Sequence, residues 1–307
     1  MKILLFGITD FTSYLLSKLI KADHEVCGLV FNRSRNPDIR EMQAVAGSKK
    51  IPWWEIGDLK DPKFIAEVRE SVRPDLILVA TFEQLLPKEL YSLARIAAIN
   101  MHPSYLPDYR GFHPYFWPIA NGEPFTGVTF HYLSEKFDEG EIIAQEKVPI
   151  GPEETAGIVV EKQKTAAWEL LKEILEKIKA TGEAPPAAPQ PAGQFAKAPK
   201  VTIRDFFINW GWPTRKILDR IRALNPNSPA FTVYKQDTLG VYKAADAARG
   251  SKEPPGTIFH LAENGPVVKT GDGALLLEIV IYGKKYLLSG GDFVKHENVA
   301  PGEQLGG

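Results

Sequence analysis

The sequence predicts an α/β fold, a Rossmann-like and mostly parallel sheet with helices on both faces, joined to a C-terminal OB-like β-barrel. Three features predict it. Continuous apolar runs alternate with helical stretches in the N-terminal part. A Pro/Ala-rich stretch then interrupts the chain at 183–200. Beyond it, short strand-like runs alternate with glycine turns.

The elements follow in order. Residues 2–7 read as a buried strand, 10–19 as a helix and 25–31 as a second strand. An amphipathic helix near 62–72 and the turn Arg73-Pro74-Asp75 lead into the strand at 76–80, and 96–101 forms another. Strands that are apolar throughout must be covered on both faces, which is the condition of a parallel sheet. No Gly-x-Gly-x-x-Gly follows the first strand, so a dinucleotide site is not supported. Residues 128–133 and 142–148 read as a wide-loop hairpin. Ala167, Leu170, Leu171, Ile174, Leu175 and Ile178 recur at helical spacing, and Thr181-Gly182 ends that helix. The stretch at 183–200 cannot pack a core and reads as an extended linker between a domain at 1–182 and one at 201–307. In the second domain, 212–224 reads as a helix with Pro213 in its first turn. Strand-like runs at 229–234, 238–243, 256–261, 265–269, 273–282 and 284–288 read as a small barrel.

Composition narrows the function. Apolar residues make up 44%, too many for a disordered chain, and the net charge of -1 gives no global attraction to nucleic acid or an anionic membrane. The single cysteine, Cys27, rules out an internal disulfide and a cysteine-rich zinc site, and it reads as a strand cysteine rather than a nucleophile. No metal-ligand spacing occurs, so no metal is expected. No stretch is long enough to span a membrane, and the opening apolar run is too short for a signal peptide. A cytoplasmic setting is therefore expected.

The chemistry concentrates in Asn100-Met101-His102-Pro103-Ser104-Tyr105-Leu106-Pro107-Asp108-Tyr109-Arg110-Gly111 and in the turn Phe137-Asp138-Glu139-Gly140. Asn100 and His102 are two apart at the end of an apolar run, so both leave a strand on one face. Pro103 and Pro107 end that strand. The pair then lies at a strand's C-terminal end, where open α/β sheets hold ligands. An amide, an imidazole and a carboxylate suit the attack on an acyl carbonyl. The other histidines carry less. His131 is a strand residue that could face the cleft, while His24 reads as a loop residue and His260 and His296 as structural.

The two segments continue through Pro114, Trp117, Asn121-Gly122 and Thr126-Gly127 to Ile142, in an order that resembles the formyltransferase family using 10-formyltetrahydrofolate. Trp210, Arg222-Ala223, Pro255-Gly256-Thr257-Ile258 and Thr270-Gly271-Asp272-Gly273-Ala274 extend the resemblance over nearly the whole chain. It implies a catalytic triplet of Asn100, His102 and Asp138, and direct transfer of a formyl group to an amine through a tetrahedral intermediate. Asn100 and a donor His102 would stabilise the oxyanion, and Asp138 would orient His102 and favour its imidazolium. The resemblance places the folate beside Phe82, Leu86 and Pro87, with backbone from the Asp138 turn at Gly140, although core packing explains Leu86 almost as well. It also implies a substrate-facing role for Arg110, and His113, close to the site in sequence, is a further candidate for substrate contact. Ser104 is a loop or substrate hydrogen-bonder rather than a nucleophile.

Members of such a family differ in their acceptor. The tRNA-modifying ones carry Gly-Thr-Pro-Asp-Phe after the first strand, where this chain has Gly7-Ile8-Thr9-Asp10-Phe11. Their long basic loop is here only Asn32-Arg33-Ser34-Arg35-Asn36-Pro37-Asp38-Ile39-Arg40. The expectation is therefore a nucleotide-linked amino sugar or another small amine. Methionyl-tRNA is the alternative, and hydrolysis of the formyl donor ranks below transfer.

Overall fold

The structure, a computed structural model, describes residues 1–32, 37–283 and 286–306. Residues 33–36 of the short basic stretch and 284–285 of the last expected strand lie outside the described residues. In chain order the elements begin β1 (Lys2–Phe6), α1 (Asp10–Lys21), β2 (Glu25–Asn32), α2 (Pro37–Lys49), β3 (Trp53–Ile56) and α3 (Pro62–Glu67), which runs into a π-helical turn at Val68–Val72. There follow β4 (Leu76–Ala80), α4 (Lys88–Tyr91), β5 (Ala97–His102), β6 (Arg110–Gly111), α5 (Trp117–Ala120), β7 (Phe125–Tyr132), β8 (Ile142–Pro149), α6 (Ala156–Thr181) and β9 (Lys197–Ala198). The rest is a 3-10 turn at Ile203–Phe206, α7 (Thr214–Leu224), β10 (Ala230–Tyr234), β11 (Asp237–Asp246), β12 (Ile258–Ala262), β13 (Gly265–Lys269), β14 (Ala274–Tyr282), β15 (Tyr286–Ser289), α8 (Gly290–His296) and β16 (Leu305–Gly306).

The chain divides into two packed units. One comprises Met1–Pro114, Thr126–Pro149 and Glu161–Ala198; the other comprises Tyr115–Phe125, Ile150–Val160 and the chain from Pro199 onward. The short segments join the second unit because Phe116, Ile119, Ala156 and Val159 share an apolar cluster with Trp210, Ile217 and Ile221.

The first unit is built on a sheet of order β3-β2-β1-β4-β5-β7-β8. From β3 to β5 the pairings are parallel, and β7 then runs antiparallel to β5. Ile3, Leu4, Leu5 and Phe6 are all buried, as are Leu76 to Val79, so both sheet faces are covered. On one face Leu4, Phe6, Ile77 and Val79 pack with Phe64, Val68, Leu86 and Leu90. Burying each such side chain stabilises the unit by about 1.5–3 kcal/mol.

The Pro/Ala-rich stretch is extended, as its composition demands, but it is bonded along the first unit. Ile142 and Ala188 exchange backbone bonds of 2.7 and 2.9 Å. The Tyr132 hydroxyl donates to the Pro185 carbonyl. β9 pairs parallel with β6, Arg110 opposite Lys197 and Gly111 opposite Ala198. Prolines lack an N–H and are confined to sheet edges, which is where this segment lies.

The second unit is an antiparallel sheet of order β12-β13-β14-β11-β10-β16, with β15 also on β14. A bridge between Thr257 and Gln304 links its two ends, giving the expected barrel. Tyr234, Tyr282 and Phe293 stack edge-on inside it. Pro213 precedes α7 as its N-cap, one position before the expected first turn. No helix of the described residues is long and apolar enough to cross a membrane.

Candidate active site

The site lies at the C-terminal end of β5. The β5–β7 register sets Asn100 opposite His131 and His102 opposite Thr129. The loop after β5 is pinned from beneath. Leu106 N donates to Thr129 Oγ1 (3.1 Å), and Thr129 Oγ1 donates to the Ser104 carbonyl (2.7 Å). Gln145 Nε2 reaches the Leu106 carbonyl at 2.7 Å, and the buried Gln163 Nε2 donates to the carbonyls of Pro103 (2.7 Å) and Gly127 (2.9 Å). A loop held at so many backbone groups fixes the Tyr109 carbonyl, which the active imidazole needs.

Hydrogen-bond partners fix both imidazole tautomers. His102 Nε2 lies 3.0 Å from the Tyr109 carbonyl. A carbonyl only accepts, so Nε2 carries a hydrogen and Nδ1 is the atom that gains and loses protons. His102 Nδ1 faces Asp138 Oδ1 at 3.4 Å. His131 Nδ1 lies 2.8 Å from the Tyr132 carbonyl, so in the neutral ring Nε2 accepts from Asn100 Nδ2 at 2.9 Å. That bond orients the Asn100 amide with its NH2 toward the site. Asn100 Nδ2 is also 3.5 Å from Asp138 Oδ1. The other carboxylate oxygen, Oδ2, accepts from the Gly111 backbone at 3.1 Å.

Burial is the dominant influence on His102. It lowers the ring's pKa below the ordinary value despite the nearby Asp138 charge and the Tyr109 carbonyl, both of which favour the proton. The Asp138 charge favours the imidazolium, as expected, but desolvation of the charged form outweighs that pull. For Asp138, burial opposes ionisation, but the charge that His102 carries once protonated, the neighbouring His131 ring and the Gly111 N–H prevail and hold the carboxyl at about 2. The resting pair is a neutral base beside a carboxylate.

The Asp138 turn is shaped by its backbone. Asp138 and Tyr109, which bracket His102, both have a positive φ, 56° and 61°. Such non-glycine conformations persist only where surroundings over-determine them. Gly140 admits no side chain, since a Cβ there would sit 1.7 Å from the Tyr132 carbonyl and 3.2 Å from His131 Nδ1. Gly111 has φ 124°, and its Cβ would meet the Ala198 carbonyl at 2.4 Å.

The remaining expected residues are placed as follows. Arg110 donates to Gln190 Oε1 from Nε at 3.1 Å and from Nη2, and its Nη1 is 3.8 Å from Glu139. Ser104 is fully buried and donates to the Asp108 carbonyl at 2.7 Å, so it braces the loop and is not available to a substrate. Leu86 is 3% exposed within the core, which leaves only its backbone for a ligand. Phe82 is half-buried edge-on against Phe6, and Pro87 caps α4. His113 is half-buried in the loop after β6. Cys27 is half-buried, and burial pushes its thiol up to about 11, which suits no nucleophile. Among the described residues no group of three acidic, histidine or cysteine side chains is arranged to hold a metal.

His131, read as a strand residue that could face the cleft, meets Asn100 there. One residue of the site was not singled out from the sequence. Gln190 has no sequence signal, because it lies in a stretch read only as a linker. Chemically, the cluster offers an amide N–H donor and an unprotonated ring nitrogen, 3.5 and 3.4 Å from the same oxygen of a fixed carboxylate.

Comparison with known proteins agrees with this picture. The formyl transferase family model matches residues 1–175, and the formyl transferase C-terminal domain matches 200–298. The methionyl-tRNA formyltransferase of Syntrophus aciditrophicus is 33% identical over 99% of this chain and 98% of its own. That of Clostridioides difficile is 32% identical over the full length of both. Among solved structures, an N-formyltransferase from Helicobacter canadensis in complex with folinic acid and dTDP-3-aminofucose superposes with a TM-score of 0.68 at 19% identity, covering 90% of this chain and 98% of its own. HypX from Aquifex aeolicus in complex with tetrahydrofolic acid gives 0.67 at 20% identity, over 99% of this chain and 48% of the longer HypX chain.

Proposed function

The chain belongs to the formyl transferase family, and we propose that it moves the formyl group of 10-formyltetrahydrofolate to the amino group of methionyl-tRNA. One observation carries the choice of acceptor. The relatives that align over the whole length in both directions, at 33% and 32% identity, are named methionyl-tRNA formyltransferases. Solved sugar N-formyltransferases resemble the chain in fold only, at 18% and 22% identity. The amino-sugar expectation rested on the short basic segment and the altered turn after β1, and it gives way to this full-length agreement.

In the proposed reaction the amine lone pair attacks the formyl carbon on N10, and the carbonyl oxygen takes the negative charge. Asn100 Nδ2 has two hydrogens. One is engaged by His131, and the other, which makes only a long 3.5 Å contact with Asp138 Oδ1 at rest, turns to the oxyanion. A donor of this kind contributes roughly 10²–10³ in rate. His102 Nδ1, neutral at rest, accepts the proton of the attacking nitrogen. The imidazolium so formed pairs with Asp138 and returns the proton to N10 as the C–N10 bond breaks. The products are a formamide and tetrahydrofolate, and no acyl-enzyme forms. Phe82, Pro87 and the backbone about Leu86 and Gly140 are the proposed lining for the donor's pterin, and Arg110 and His113 the proposed contacts to substrate.

The test incubates the protein with 10-formyltetrahydrofolate alone, with methionyl initiator tRNA, and with a dTDP-linked amino sugar, and follows tetrahydrofolate release and the formylated product. Turnover that depends on the charged tRNA is expected. Turnover with the sugar nucleotide alone, or with water alone, rejects the acceptor assigned here.

A further inference from the structure

We propose that Gln190, in the Pro/Ala-rich stretch, is a positioning residue that clips the Asp138 turn and Arg110 into their working places. This inference rests on the roles given above to Asp138 and His102. Every hydrogen-bonding group of the Gln190 amide is engaged. Nε2 donates to the Asp138 carbonyl at 2.7 Å and to the Gly140 carbonyl at 2.9 Å. Oε1 accepts from Nε and Nη2 of Arg110. Two donors and two lone pairs are all that a primary amide has. One carbonyl it holds belongs to the residue whose carboxylate faces His102 Nδ1, and the other lies two residues further along the same turn.

The clip is itself anchored on either side. Ile142 bonds both ways to Ala188, two residues before it. Downstream, Tyr109 N donates to the Ala196 carbonyl at 2.6 Å, and Ala196 N donates to Asp108 Oδ1 at 3.0 Å. The segment that carries Gln190 is therefore tied to β8 and to the loop whose Tyr109 carbonyl holds His102. Asp138 adopts φ 56°, a conformation that a free turn would leave. Two carbonyls drawn to one amide supply the over-determination that it requires.

No other side chain of this length does the same work. Glutamate lacks the two N–H donors and would set a carboxylate against two carbonyls. Methionine keeps the length but offers neither donor nor strong acceptor. Without the clip the Asp138 carboxylate is free to move from Nδ1, and a displacement of about 1 Å at a reacting centre costs up to roughly a hundredfold in rate.

The test compares Gln190→Met and Gln190→Ala with Asp138→Asn in the full chain, measuring kcat, the donor KM, melting temperature and the pH dependence of kcat. Both Gln190 variants are expected to lower kcat about tenfold to a hundredfold with donor KM within a few-fold. The acidic limb of kcat should move to lower pH. The charged and titratable groups facing His102 are Asp138, His131 and Arg110, and after burial Asp138 has the largest effect, which raises the ring's affinity for protons. Loosening Asp138 therefore lowers that affinity. A rate near wild type in both variants overturns the proposal, provided Asp138→Asn is inactive. A fall in rate that tracks lost melting temperature and leaves the limb in place overturns it too, since that is the mark of a merely structural residue. If Asp138→Asn keeps the full rate, the underlying reading fails instead. Should Gln190→Ala not fold, Gln190→Met, which keeps the side-chain length, decides.

Discussion

Replacing Gly140 with alanine isolates the importance of where the Asp138 turn lies. The added methyl would stand 1.7 Å from the Tyr132 carbonyl, whereas real Cβ contacts do not fall below 3.0 Å. The turn or the end of β7 must therefore shift by at least 1.3 Å, the gap between those distances. Neither side can yield without loss. The Tyr132 carbonyl holds His131 Nδ1, and the Gly140 carbonyl accepts from Gln190. A shift of this size at the carboxylate predicts a fall in kcat of about a hundredfold, or ~2.7 kcal/mol of transition-state stabilisation. Overpacking of a tight site costs about 1–3 kcal/mol of stability as well, which lowers the melting temperature by a few degrees. The assay is steady-state release of tetrahydrofolate at saturating donor and charged tRNA, with a thermal melt beside it. A Gly140→Ala enzyme within twofold of the wild-type rate would show that the turn tolerates displacement, and the account of Asp138 as a fixed partner of His102 would fall.

Asn100→Ala removes the amide donor and should reduce kcat by roughly 10²–10³ while donor affinity stays within a few-fold; a loss confined to affinity, measured by equilibrium binding of folinic acid, rejects the oxyanion role. Ser104→Ala leaves the Asp108 carbonyl without its buried donor and should cost about 1 kcal/mol of stability in a denaturant titration with kcat unchanged; a large drop in kcat would restore Ser104 to the substrate site. The acidic limb of kcat should lie below the ordinary imidazole value of about 6.5, because burial lowers the His102 pKa. A limb at or above that value contradicts a neutral resting ring. Stability has the same sign. The folded pKa values of His102 and Asp138 are both depressed, so their contributions are complete above about 6.5 and about 3.9 respectively and decline as pH falls through the folded values, for Asp138 about 2.

The strands of the first unit were legible because burial on both faces leaves uninterrupted apolar runs, as at Leu76 to Ala80. β3 escaped notice for the opposite reason. It is a four-residue edge strand whose Trp53 is 43% exposed, so no run forms. α2 was missed because, among its residues with described side chains, only Ile39, Met42 and Ala46 are buried apolar ones, too thin a stripe to separate from a loop. Asn100 and His102 were readable from two-residue spacing at a strand end, and Asp138 from resemblance. His131 was readable as a strand residue that could face the cleft, but its pairing with Asn100 needed the cross-strand register, which local pattern does not carry. Gln190 needed the return of a proline-rich segment along an edge, and no propensity or period encodes that. Ser104 misled because a hydroxyl in an active-site loop looks the same in sequence whether it braces the backbone or meets a ligand.

The placement of charge explains why this cluster needs a second histidine and a buried carboxylate together. At rest, Asp138 is ionised and His102 is neutral, so the His102–Asp138 pair carries one negative charge that burial would normally penalise. The Gly111 N–H and the Asn100 amide, which His131 orients, offset that cost with dipoles rather than with a full positive charge. A lysine or arginine in their place would pin the carboxylate as a salt bridge and remove its pull on the proton at Nδ1. In the proposed reaction the carboxylate gains a directly paired cation only when the amine attacks. The nitrogen of the tetrahedral adduct then bears a positive charge, and moving its proton to His102 Nδ1 creates the ion pair with Asp138 in the buried interior at that step. The interaction is stronger in the adduct than with the bound reactants, which is the condition for an interaction to accelerate a reaction rather than to tighten binding.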